Sequence, residues 1–154
     1  MYYGTYDIGS FLRRAASRGD VSYIDRAIGL IGSDRFEHDA EYALTLLLPL
    51  ASIPEIASLS NSRARNLYQG LSSRNVEFVN ALLASMARTQ DTRALASIRR
   101  HALQSKDNAV RLLAQEVYTQ LLERKRHLND SSELLRAAKA QASRGYRRAA
   151  CLQL

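Results

Sequence analysis

The sequence predicts an all-α protein built from stacked antiparallel helix pairs, on three observations. Apolar residues recur at three- and four-residue spacing in successive windows, as one face of a helix requires. The composition, 46% hydrophobic and 24% charged with 7 Gly and 2 Pro in 154 residues, suits a compact helical chain and argues against extensive disorder. Strand signals are scarce: β-branched residues occur singly, and no Asn-Gly or Asp-Gly turn separates alternating apolar runs.

Asp7 or Ser10 can cap a first helix carrying Ile8, Phe11, Leu12, Ala15 and Ala16, and Gly19 ends it. Asp20 caps a second, with Ile24, Ala27, Ile28 and Ile31 as its stripe and Gly32 as its stop. Asp34 or Asp39 opens a third through Tyr42, Leu44, Leu46, Leu47 and Leu48. That helix is apolar nearly all round, which places it at the centre of the core, and Pro49 and Pro54 bracket its end. Ile53 to Leu59 reads as no more than a short turn, because residues before proline avoid helical geometry and Ser58 to Ser62 interrupt the pattern. Helix returns over Ser62 to Leu71.

From there the periodicity is strongest. Asn75 to Thr89 aligns Val76, Val79, Leu82, Leu83 and Met86; Thr92 to Gln104 aligns Leu95, Ile98 and Leu103; Asp107 to Lys125 aligns Val110, Leu113, Ala114, Val117 and Leu121. Asp91 and Asp107 stand where a helix needs a capping acceptor. A last helical segment covers Leu134 to Ala142, and Ser143 to Arg148 reads as loosely ordered.

Length is that of one domain able to bury a continuous core. We divide it into a helical-repeat domain over 1–126, with divergent helices over 1–71, and a basic helix or tail over 127–154 that is partly flexible. The one cysteine, Cys151, has no disulfide or zinc-spaced partner, which points to a reducing cytoplasm, and the N-terminus lacks the pattern of a signal peptide. The most apolar neighbourhood, Ala43 to Ile53, is too short and too interrupted to span a membrane.

Charge is unevenly spread. Residues 1–123 hold 14 Lys+Arg against 13 Asp+Glu, whereas 124–154 hold 8 against 2, so the tail carries most of the net charge of +7. Arginine outnumbers lysine 19 to 3, and guanidinium groups favour bidentate pairing with carboxylates or phosphates. Arg124-Lys125-Arg126-His127 and Arg144-Gly145-Tyr146-Arg147-Arg148 interleave cations with an aromatic ring, as phosphate neutralisation and base stacking would use them. The alternative is complementation of a helix dipole and a solubilising tail. Arg93, Arg99, Arg100 and Arg111 form a second candidate row facing an anionic partner. Within it Arg111 is expected to pair structurally with Asp107, leaving Arg99 and Arg100 for binding.

The run Asp91-Thr92-Arg93-Ala94-Leu95-Ala96-Ser97-Ile98, followed by Ala102-Leu103, Asp107, Val110-Arg111 and Ala114, resembles the HEAT repeat of bacterial proteins. A shift of 31 residues carries Val79 onto Val110 and Leu82 onto Leu113, so Asn75 to Thr89 is similar to the first helix of a preceding repeat. Residues 75–126 carry the likeness, with Asp91 to Glu123 its clearest unit; Leu134-Leu135-Arg136-Ala137 is also similar to a segment near the carboxyl ends of some HEAT proteins. The resemblance implies a short α-solenoid, a right-handed superhelix, whose surface binds partners.

Catalytic signals are weak. His38 lies between Glu37 and Asp39 with Glu41 nearby, which an acid/base or metal cluster could use, but the first turn of a helix gathers acids for its dipole alone. His101 and His127 have no ligand-spaced partner, and no phosphate loop, nucleophile elbow or His-Glu-x-x-His occurs. Tyr2, Tyr3 and Tyr6 cluster as candidates for docking on a helix or partner. The expected function is a non-enzymatic protein-binding scaffold without cofactor or metal; the alternative is nucleic-acid binding through Arg124, Lys125, Arg126, Arg144, Arg147 and Arg148. Leu44 to Leu50 and the Leu134 helix are candidate self-association faces.

Overall fold

A computed structural model describes residues 7–152, with side chains from 7 to 144. Its helices are α1 (Ile8–Ser17), α2 (Ile24–Gly29), α3 (Glu37–Leu47), α4 (Ile53–Ala57), α5 (Asn61–Tyr68), α6 (Val76–Thr89), α7 (Leu95–Arg100) and α8 (Asn108–Leu152). Short 3-10 turns link several of them, and no strand occurs among the described residues. The tyrosine cluster at residues 2–6 lies outside the described residues.

Local chemistry sets the boundaries. Gly19 takes φ +69° after α1, where its amide reaches Ala16 O at 3.0 Å and that of Asp20 reaches Ala15 O at 2.9 Å. Gly32, at φ +83°, makes the corresponding reversal after α2. Asn75 Oδ1 accepts from Phe78 N at 3.3 Å and Asp107 Oδ1 from Val110 N at 3.1 Å, so both caps work as their positions predict. Ser52 and Glu55 form a reciprocal capping box that secures α4, with Pro54 in its first turn, where the missing N–H is harmless.

Packing follows the apolar stripes. α3 lies against α1 and α2, α6 against α3, and α8 against α6; α5 touches α2 and α7, and α7 packs back on α8. One core runs through all of them, from Leu12 through Leu44, Leu47 and Leu48, then Phe78, Leu82, Leu83 and Met86, to Leu121. The central place expected of α3 is real for that inner side, but Tyr42, Leu46 and Leu50 face outward.

Three expectations need correction. The helix expected over Thr92 to Gln104 is broken into a 3-10 turn, α7 and a second 3-10 turn around His101. The Arg111 guanidinium does not pair with the Asp107 carboxylate; it donates to Ser105 O at 3.1 Å and to Asn108 Oδ1. Finally, no break follows Lys125: α8 continues through Ser131-Ser132 and through 143–148 to Leu152. Each serine costs a helix only a few tenths of a kcal/mol, less than an already nucleated helix loses by stopping.

The turn before α6 depends on a close approach at Gly70. A Cβ there would lie 2.6 Å from Phe78 Cε2, 2.7 Å from Cζ and 3.0 Å from Leu82 Cδ1, all in fully buried side chains. Gly70→Ala is therefore expected to destabilise by about 1–3 kcal/mol through overpacking. Gly29→Ala, at the end of α2 where a Cβ comes no closer than 3.5 Å to Arg63, should be neutral or stabilising by up to about 0.5 kcal/mol. Urea denaturation of the two variants checks the contrast.

Candidate functional site

The densest polar cluster joins α4, α5 and the turn before α7. Asp91 Oδ1 accepts from Arg93 N at 3.1 Å and from Arg93 Nε at 2.9 Å, while Oδ2 accepts from Arg93 Nη2 at 2.9 Å and from the Tyr68 hydroxyl. Arg93 then reaches back across the chain. Nη1 donates to Leu59 O at 2.5 Å and Asn61 Oδ1 at 3.4 Å, and Nη2 to Ile56 O at 3.3 Å. All five guanidinium donors are thereby used. Arg93 is a structural clamp, which corrects its place in the expected binding row.

Electrostatics agree with that role. Burial pushes the Asp91 carboxyl up, but hydrogen bonds from Arg93 and Tyr68 outweigh it and hold the group below the usual carboxylate range. Burial is the main cause that drives the Tyr68 hydroxyl far up, and its bond to Asp91 adds to the effect.

Beside this clamp lies a groove of about 410 Å³ between two polar helix faces. α5 contributes Asn61 and Arg65, and Gln69 follows one turn later on the same face; the opposite wall has Ala96, Ser97, Arg100 and His101, with Arg93 between the walls. Arg100 was expected from sequence and Arg65 was not. The four-residue spacing of 61, 65 and 69 was a signal, but nothing local marked this stripe as facing α7. Arg99 is exposed in the last turn of α7 and does not line the groove.

The other candidate cations sit on α8. Arg124, Lys125, Arg126 and Arg144 are exposed there, beyond the part of the helix that packs on the core. Arg147 and Arg148 belong to the same helix, but their side chains lie outside the described residues. Among the described residues none of α8 lines the groove, so Arg100 stands apart from Arg124, Lys125, Arg126 and Arg144.

On α8 the core seam outruns the core. Ala114, Val117 and Leu121 are buried, and steps of seven from Leu121 place Leu128, Leu135 and Ala142 along the same side. Leu128, Leu134 and Leu135 are 45%, 71% and 58% exposed. At about 100° per residue, Arg126 and Arg144 project from the side away from this line. The extension is thus an exposed helix with a line of leucines, Arg126 and Arg144 opposite it and Arg124, Lys125 and Lys139 beside it.

The acids around His38 separate. Asp39 pairs with Arg13 at 2.5 Å, and buried Glu41 accepts from Ser73 Oγ at 2.7 Å, while His38 is exposed. No group of three or more potential metal-ligating side chains occurs among the described residues, and no helix there is long and apolar enough to cross a membrane. Comparisons of the chain with protein-family models, curated proteins and solved structures give no match.

The clamp yields a paired prediction. Arg93→Met removes the three long-range donations and leaves buried Asp91 with only the Tyr68 hydroxyl and one backbone amide, so it should cost about 2–3 kcal/mol at neutral pH. Because the folded carboxyl value is depressed, Asp91's contribution is full above the ordinary range near pH 4 and disappears as pH falls through the depressed value. Asp91→Asn should therefore flatten the acid limb of the stability profile from about pH 5 downwards. Urea midpoints across that range provide the check.

Proposed function

We propose that the chain is a non-enzymatic protein-interaction scaffold of the bacterial HEAT-like kind, a short α-solenoid with right-handed superhelical stacking. The observation that carries this reading is the extension of α8: a seam that seals the body continues outward with no cover among the described residues. Exposed leucines in line along a helix mark a surface that another polypeptide covers. From Arg124 to the end of α8 the helix reaches roughly 40 Å at 1.5 Å per residue, long enough to engage an extended partner.

The packing order supports the architecture. α1, α3, α6 and α8 follow one another side by side, while α2, α5 and α7 form a second file, as stacked helix pairs do. Val79 and Val110, equivalent under the repeat shift, are both buried. The lone cysteine fits the reducing cytoplasm in which we place the protein.

A second reading, nucleic-acid binding, is favoured by the exposed Arg124, Lys125, Arg126, Arg136, Lys139 and Arg144 along one helix. The two readings use different residues of α8. If the partner is a protein, Leu134→Gln with Leu135→Gln abolishes its capture from the native host by the full chain, leaves the melting temperature unchanged, and capture by the parent chain survives about 0.5 M salt. If it is nucleic acid, the leucine variant binds normally, whereas replacing Arg124, Lys125 and Arg126 by glutamine weakens binding and lowers its salt slope by roughly one for each phosphate no longer neutralised.

A further inference from the structure

We infer that the groove between α5 and α7 is a binding site for the phosphate group of a small phosphorylated molecule. Arg65 stands on one wall, and Arg100 with His101 on the other. Among the described residues, none of these three side chains has a hydrogen-bond or ion-pair partner. Arg63, only two residues before Arg65, pairs with Asp25 and so does not share this groove, whereas Arg65 faces it without an acid. Among the described residues no carboxylate lines the groove. The nearest one in the clamp, Asp91, is already engaged by four donors, so its charge is spent on Arg93.

Two guanidinium groups therefore share one hollow without a counter-charge. An anion placed in the groove can take donors from both walls, and the number of donors selects among anions. A phosphate monoester presents three terminal oxygens and up to two negative charges against a carboxylate's two oxygens and one charge, so it meets more of the donors on the two walls at once. The imidazole of His101, the Ser97 hydroxyl and the amides of Asn61 and Gln69 add further donors around the rim. At about 410 Å³ the groove falls within the usual range of small-ligand sites, about 300–1,000 Å³, and is larger than a bare phosphate needs. Ala96 and the aliphatic stems of the arginines can cover a compact organic group. The clamp keeps Arg93 from competing for the ligand and fixes the floor on which both walls stand.

The test is a titration of the full chain with phenyl phosphate at near-physiological salt, followed by amide NMR, with benzoate as the carboxylate control. Saturable shifts centred on Arg65, Gln69, Ser97 and His101 are expected, with benzoate much weaker. Arg65→Gln and Arg100→Gln should each raise Kd about tenfold or more, while Arg26→Gln, at an exposed position outside the groove, leaves it unchanged. Both side chains are exposed, so melting temperatures equal to that of the parent chain separate impaired binding from impaired folding. Shifts that do not saturate, shifts centred on α8, equal affinity for benzoate, or Kd values untouched by the two groove variants overturn the assignment.

Discussion

Arg93 ties together segments more than thirty residues apart, and the arrangement of the second half of the body depends on it. Its guanidinium is held by Asp91 and in turn satisfies the carbonyls of Ile56 and Leu59. A partly buried ion pair is in itself a weak source of stability, because desolvation offsets much of the attraction. What the pair provides here is placement. Without it the ends of α4 and the start of α5 would keep their apolar contacts but lose the polar partners that fix their height against α7. Tyr68, 1% exposed, would also keep its ring in the core while its hydroxyl lost the charged acceptor that justifies a tyrosine there.

Features decided within a few residues were readable from the sequence. Asn75 and Asp107 cap helices because an acceptor three residues before a free amide has one good thing to do, and Gly19 and Gly32 reverse the chain because few other residues tolerate positive φ. Gln90 shows the limit of that logic: it adopts φ +53° after α6 without being a glycine, and no composition rule marks it. The buried stripes of α6 and α8 were visible as periodicity. The clamp was not, since Asp91 looks like an ordinary cap and its long-range partners are backbone carbonyls, which have no sequence signature. Of the groove, Arg100 was singled out, but Arg65 gains meaning only when α5 and α7 are brought face to face.

The length of α8 illustrates a competition between local and cooperative effects. Ser131-Ser132 and the polar stretch around them look like an interruption when weighed residue by residue. Once Val110, Ala114, Val117 and Leu121 have docked on α6, however, the helix is nucleated, and each further residue adds a hydrogen bond for one more pair of fixed dihedrals. Propagation can then cross two weak residues. The same argument says that the outer part is held by helix propensity and its junction with the body, not by burial, so contact with a partner along Leu128 and Leu135 would add apolar burial the free chain lacks.

Charge alone would have assigned all binding to the tail, since the body is nearly neutral by count. Neutrality by count conceals how the charges are matched. Among the described residues ion pairs engage Arg13, Arg63 and Arg93, and no acid lines the groove beside Arg65 and Arg100. The protein therefore has two cationic surfaces of different form. The groove is concave and rimmed by donors from two elements, so its field converges on one compact charge. The helix is convex and spreads its cations along roughly 40 Å beside an apolar line, which suits an extended partner and gives a single small anion little to hold. The proposed scaffold role rests on the second surface through its seam of leucines, and that argument would stand even if the net charge were zero.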